Sequence, residues 1–197
     1  MRAVDFVQVT RINHMRNSIV PLAAAIAVSI SLLSASFPAH AEGEHGNGHG
    51  MHKIGESGKV ENVTKTISVE MFDNYFEPEA LDLKEGETVR FVVTNKGDFV
   101  HEFNIATAAM HEAHAPEMEM MVEHGVLEPD RINWEAAKMM QETMGHGMHE
   151  EDNSILLEPG QTGELIWKFP DHAELEFACN IPGHYDSGMM GDIKLSH

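Results

Sequence analysis

Cys179-Asn-Ile-Pro-Gly-His184-Tyr-Asp-Ser-Gly-Met189 sets a thiol, an imidazole and a thioether along one short loop, each separated from the next by four residues, and Cys179 is the only cysteine in the chain. A second imidazole, His101, lies upstream in Phe99-Val-His-Glu-Phe-Asn-Ile105. Two imidazoles, a thiolate and a weakly bound axial thioether form the donor set of a type 1 copper site. Soft sulfur favours Cu(I), and imidazole suits Cu(II) as well, so one mixed set can serve both oxidation states. Met189 and Met190 both qualify for the axial place, although Met190 points the other way if a strand has begun there. Singly, each residue has a plainer use: a satisfied histidine at a strand end, a small buried hydrophobe, a core methionine. Their joint occurrence, in order and at ligand spacing, points to a metal.

The segments around that loop read as strands. Leu175-Glu-Phe-Ala-Cys179 alternates into the thiol, and Met190 to Leu195 alternates out of the loop. Thr64 to Met71 places Ile67, Val69 and Met71 on one face, and Thr88-Val-Arg-Phe-Val-Val-Thr94 is β-branched and strand-like. Ala80 to Leu83, Val100 to Ile105, Ser154 to Glu158 and Thr162 to Phe169 complete the set, with Pro159-Gly160 turning the chain between the last two. Many short strands divided by turns predict an all-β sandwich or barrel, and the absence of a βαβ rhythm excludes a parallel α/β sheet.

The first 41 residues read as an address. Arg2, Arg11 and Arg16 precede an apolar run from Ile19 to Leu33, and Ala39-His-Ala41 offers a cleavage site. These are the three parts of a secretory signal peptide. The run is short for a membrane anchor and is interrupted by Pro21, Ser29 and Ser31. Initiation at Met1 or at Met15 fits equally well. Export to the periplasm is therefore expected, with no membrane insertion after cleavage. The whole chain carries a formal charge of −19; residues 1–41 hold three of its 13 basic and one of its 32 acidic side chains, leaving 10 against 31 after cleavage. So acidic a surface argues against nucleic acid and anionic lipid, and favours cations or a basic partner. A lone cysteine in an exported chain is an intermolecular bridge, a free thiol or a metal ligand, and the donor set above selects the last.

Residues 42–59 are rich in Gly, His and Glu with little to bury, and predict a flexible tail in which His45, His49, Met51 and His52 are candidate copper ligands. Residues 60–197 form the predicted domain, interrupted by an insertion over 106–153 that holds eight Met and five His. Two helices are predicted there, one from Pro116 to about His124 with Gly125 as its stop, the other from about Arg131 through Trp134 to Met144 with Gly145 as its stop. Met118 and Met121 fall on about one face of the first, a face that His114 or Gly125 would extend. Met118, Met121, His146, Met148 and His149 are candidates for additional Cu(I) or Cu(II), although helix methionines also serve as flexible core fillers.

The chain from about Val60 to Leu195, leaving out the insertion, resembles the cupredoxin family of small blue-copper proteins. The matching pieces are Glu85-Gly-Glu-Thr-Val-Arg-Phe-Val-Val-Thr-Asn95, His101-Glu-Phe, Phe177-Ala-Cys179, Pro182-Gly-His184 and Gly188-Met189-Met-Gly191-Asp-Ile193. The resemblance implies a Greek-key β-sandwich of about eight strands and a type 1 copper centre on His101, Cys179, His184 and Met189. The Gly-Met-x-Gly-x-Ile spacing assigns the axial role to Met189 over Met190. A binuclear electron-transfer site needs two thiolates, and the residues beside Cys179 are Ala178 and Asn180, without the histidine that leads to a second catalytic copper in related oxidases and nitrite reductases. An enzyme is therefore not expected.

With its His-rich tail and Met/His insertion the chain is most similar to the periplasmic copper-tolerance cupredoxins. That likeness implies a role in copper tolerance, whether by holding Cu(I), assisting its oxidation or passing copper to a partner. The alternatives are a one-electron carrier between periplasmic redox partners and a zinc or nickel scavenger. Expected partners are copper ions and a periplasmic redox or copper-transfer protein.

Overall fold

The computed structural model describes residues 54–145 and 151–197. The signal segment, the tail candidates His45, His49, Met51 and His52, and the insertion candidates His146, Met148 and His149 lie outside the described residues.

Two five-stranded sheets face each other. The first has the order β1 (Glu56–Ser57), β10 (Thr162–Lys168), β5 (Thr88–Asn95), β2 (Lys65–Met71), β3 (Phe76–Glu77). The second has the order β4 (Ala80–Lys84), β12 (Met190–Ser196), β11 (Leu175–Ala178), β6 (His101–Ala106), β9 (Ser154–Leu157). The β2–β5 and β4–β12 pairs are parallel and the others antiparallel. Alternation does what period two requires: Val89, Phe91 and Val93 of β5, and Val69 and Met71 of β2, are all buried in the space between the sheets. Aromatic rings join the two layers. Phe76 meets Phe103 and Phe177 edge-on at centroid separations of 6.1 and 5.1 Å, and Phe91 lies 5.3 Å from Phe103. The expected all-β sandwich is the fold observed.

The predicted strands lie close to their expected positions, but the domain begins earlier than Val60. Glu56 and Ser57 pair with Lys168 and Trp167, Ile54 is fully buried, and the Trp167 indole donates to the Ile54 carbonyl at 2.9 Å. The tail expected over 42–59 therefore gives way to sheet structure before its end. A single isoleucine among polar residues carries almost no periodic signal, and its anchor is a tryptophan 113 residues away.

The insertion packs on the outer face of the second sheet. It runs through α1 (Ala108–Glu123), the hairpin β7 (Leu127–Glu128) and β8 (Arg131–Ile132), then α2 (Trp134–Met144). Helix α1 starts eight residues before Pro116, because Thr107 caps it by accepting from the Met110 amide and Ala108 to Ala115 is alanine-rich. Pro116 sits inside the helix, and the burial of His111, Met118 and Met121 along one stripe outweighs the hydrogen bond it removes. Helix α2 starts at Trp134 rather than Arg131, since Arg131 and Ile132 are taken into the hairpin and Asn133 provides the cap. Met118, Met121 and Met140 form a second apolar cluster with Val100, Val126, Leu127, Ile132 and Ala137. This cover explains why all six residues of β6 are buried: Phe103 and Ile105 enter the inter-sheet core, while Glu102 and Asn104 lie beneath the insertion.

Phe91 is the ring of the first sheet that touches Phe103 and Phe169 together. Phe91→Ala is expected to lower the unfolding free energy by about 3–5 kcal/mol in a denaturant titration, and a loss below about 1 kcal/mol would contradict this packing.

Candidate metal centre

Strand β11 delivers Cys179 to one end of the sandwich, and the loop that follows is wound back onto it. Pro182 and Gly183 occupy the centre of a tight turn, closed by His184 N–H donating to the Ile181 carbonyl at 2.9 Å, with Gly183 at φ 85°. Pro at the second position and a left-handed Gly at the third are the signature of a type II turn. The Met189 amide donates to the His184 carbonyl at 3.0 Å, and the Cys179 amide to the Met189 carbonyl at 3.1 Å. Backbone bonds thus tie the three loop candidates to one another. Strand β12 begins at Met190, so Met189 is the last residue of the loop; it is fully buried, in the same cluster as Cys179.

His101 enters from β6. Its Nδ1 lies 3.8 Å from the Cys179 sulfur, and His184 Nδ1 lies 3.4 Å from it. The two rings are 5.0 Å apart between centroids. One donor atom from each of His101, Cys179 and His184 falls within 4.8 Å of the others. His101 and Cys179 are wholly buried, while His184 is partly exposed, which makes it the more accessible imidazole.

A surrounding layer absent from the spacing argument fixes these groups. The far nitrogen of His101, Nε2, faces Asp73 Oδ1 at 3.2 Å, and that carboxylate also accepts from the Asp98 amide at 2.8 Å. Such a carboxylate sets the tautomer and leaves Nδ1 free towards the sulfur. The 95–99 turn that brings Asp98 there is organised by buried Asn95, whose side chain accepts from the Gly97 amide and donates to the Phe99 and Leu157 carbonyls. Gly97 has no room for a side chain: a Cβ would stand 2.2 Å from Asp73 Oδ1 and 2.7 Å from His101 Nε2.

On the other side, the Glu102 amide donates to the Cys179 sulfur at 3.3 Å. The Glu102 carboxylate, fully beneath the insertion, accepts from the Asn180 backbone and side chain and from Ser154, and faces His114 Nε2 at 3.7 Å. His114 also meets Glu117 at 3.3 Å. Glu102 and Asn180 each adjoin a candidate ligand in sequence, and that adjacency is the available signal. Met118 and Met121 line a cavity of about 400 Å³ with Glu102 and His114.

The electrostatics follow from burial. Enclosure pushes the Cys179 thiol up to about 12, with the Glu102 charge adding to it and backbone N–H groups opposing it. Burial likewise lowers His101, against the pull of Asp73, and lowers His184, with the neighbouring His101 adding to it. Both imidazoles are thereby held in the neutral, ligating form. Burial would raise Glu102, but His114, Ser154 and Asn180 outweigh it and keep the carboxyl low. Burial would lower His114, but Glu102 and Glu117 carry it up to about 10.

The sequence matches the family model for a cupredoxin-like domain over residues 25–113, a stretch that includes His101 and ends inside α1. Over 177 residues it is 40% identical to the copper-resistant cuproprotein CopI of Pseudomonas aeruginosa, spanning 85% of this chain and 94% of that one. It is 33% identical over 187 residues to the copper-resistant cuproprotein CopI of Rubrivivax gelatinosus, spanning 91% and 98%. A solved structure of auracyanin B superposes with a TM-score of 0.53 at 17% identity, covering 73% of this chain and 97% of that one, which is a likeness of fold. The chain belongs to the cupredoxin family, within the group formed by these CopI proteins.

Gly97→Ala is expected to displace His101 from Asp73. An NMR titration of the apo protein will then show a changed tautomer or pKa for His101; an unaltered imidazole would contradict the close packing. The Glu102–His114 pair has a defined pH dependence. Because the His114 pKa is raised on folding, its contribution is complete below about pH 6.5 and is lost as pH rises through about 10. His114→Ala is expected to cost about 3 kcal/mol at pH 6 and progressively less towards pH 10 in unfolding titrations. An equal loss at both ends would contradict the charged pair.

Proposed function

We propose that this protein is an exported copper-binding protein of the bacterial envelope, with a redox-active type 1 copper centre on His101, Cys179, His184 and Met189, acting in periplasmic copper tolerance. The observation that carries the reading is the convergence of both Nδ1 atoms on the Cys179 sulfur, at 3.8 and 3.4 Å, in a chain 40% identical to a copper-resistant cuproprotein.

The donor set fits copper better than its competitors. One thiolate and two imidazoles, with a thioether supplied by the same loop, combine soft and borderline ligands, as Cu(I) and Cu(II) both require. Structural zinc sites, by comparison, favour four strong ligands from Cys and His. Copper held there supplies one-electron chemistry between its cuprous and cupric forms. The residues do the rest. Cys179 gives up its proton on ligation, while His101 and His184 are already biased neutral by burial, so affinity falls on acidification. The Glu102 amide donates to the sulfur and steadies the thiolate. Asp73 orients His101, the backbone bonds of the loop hold Cys179, His184 and Met189 in register, and the core aromatics exclude water. The partly exposed His184 is the edge through which an electron enters or leaves.

Copper tolerance rather than simple electron carriage is favoured by the 40% identity to a copper-resistant cuproprotein and by the candidate ligands His45, His49, Met51, His52, His146, Met148 and His149 in the sequence. The acidic surface suits a cation or a basic partner. Export rests on the segment ending at Ala41.

The purified mature protein is expected to develop an intense visible thiolate-to-copper band with the first equivalent of Cu(II), lost in Cys179→Ser, and to bind more than one copper ion in total. A band that survives in Cys179→Ser overturns the centre; a total of one copper favours the electron carrier. Cell fractionation should recover the processed chain from the periplasm, and an unprocessed cytoplasmic chain would contradict export.

A further inference from the structure

At the other end of the sandwich, three segments distant in sequence bring two imidazoles and a carboxylate together. Strand β12 leaves the loop at Met190 and runs to Ser196; β4, parallel to it, ends at Lys84 beside Ser196. Seven residues of strand separate this pole from Cys179 by about 20 Å, at roughly 3.3 Å per residue. The turn after β4 carries Glu85, whose amide donates to the Ser196 carbonyl at 2.9 Å. His197 follows Ser196, and His172 comes from the connection between β10 and β11.

His172 Nδ1 lies 2.9 Å from one Glu85 oxygen and His197 Nδ1 lies 2.7 Å from the other. The two imidazole rings meet edge-on at 5.0 Å. One donor atom from each of the three residues lies within 4.8 Å of the others. The carboxylate is the fixed member, with its side chain only 13% exposed, whereas the imidazoles are 72% and 79% exposed and open to solvent. His172 is also the one non-glycine among the described residues with a left-handed backbone, at φ 54°. That conformation is uncommon outside Gly, and His is one of the residue types, with Asn and Asp, that adopt it most readily; here it lets the His172 amide donate to the same Glu85 oxygen that its ring faces, at 3.2 Å.

The geometry points to a second metal site: His172, His197 and Glu85 bind one divalent transition ion, Cu(II) by preference, with water completing the coordination. Two imidazoles and a carboxylate, with no sulfur, form a borderline-to-hard set that suits Cu(II) over Cu(I), and Cu(II) heads the divalent affinity order. The site thus complements the thiolate centre. Its ligands come from three separate segments, so an ion held by all three cross-links the β4–β5 turn, the β10–β11 connection and the end of β12. Binding only the folded state, it raises stability by mass action. Its existence does not depend on the type 1 assignment.

The test uses the full mature chain, first given one equivalent of copper and then titrated with Cu(II), against the double variant His172→Ala/His197→Ala. The expected result is one fewer Cu(II) bound by the variant, loss of a tetragonal electron paramagnetic resonance component with nitrogen couplings, and loss of a Cu(II)-dependent rise in Tm, with the visible band unchanged. Glu85→Gln should weaken that component at least about tenfold. Equal copper counts, spectra and Tm shifts in parent and variant would overturn the site and leave a hydrogen-bonded clasp only. A visible band missing from both proteins would count against the thiolate centre instead, and would leave the difference between parent and variant readable.

Discussion

A sulfur with no exposure, facing two imidazole nitrogens, is the arrangement around which the other features are set. An isolated thiol in an apolar enclosure resists ionisation, and Cys179 accordingly sits far above its ordinary pKa. What distinguishes the enclosure from ordinary core is its polar lining: the Glu102 amide, His101 Nδ1 and His184 Nδ1 are all directed at one atom. Apolar packing alone would not gather three nitrogens around a sulfur. The core aromatics, the loop bonds and the Asp73 carboxylate all serve to keep that gathering in place.

The insertion belongs to the same scheme. By covering the outer face of β6 and β11 it buries Glu102, and burial forces that carboxylate to find partners in Asn180, Ser154 and His114. The residue following each of His101 and Cys179 is thereby joined to the other, so the helix α1 that carries His114 holds the two strands in register from outside. Its methionines divide their use. Met118 and Met121 lie in the apolar cluster of the insertion and also border the cavity beside Glu102.

The strands are legible through alternation, and the loop candidates Cys179, His184 and Met189 through a fixed spacing of scarce donor types; both are short-range marks. His101 was found only because an imidazole was missing from the loop. The surrounding layer was harder. Asp73 reaches His101 across 28 residues and the Glu102 amide reaches Cys179 across 77, so neither contact has a local period. Pro116 is a strong local signal for a helix start, yet the Thr107 cap and the buried stripe of His111, Met118 and Met121 override it and set the start of α1 at Ala108. Ile54 was missed because one apolar residue in a Gly- and Glu-rich stretch gains its partner only when Trp167 folds against it. Glu85, His172 and His197 had no spacing to betray them, since the topology alone brings them together.

Copper-edge X-ray absorption on the mature protein loaded with a single equivalent of copper addresses the centre most directly. A first shell of one short sulfur bond and two imidazole nitrogens is predicted, with only slight change between the oxidised and reduced forms. A shell of nitrogen and oxygen alone would mean that the metal sits elsewhere and that the Cys179 thiol is ordinary core.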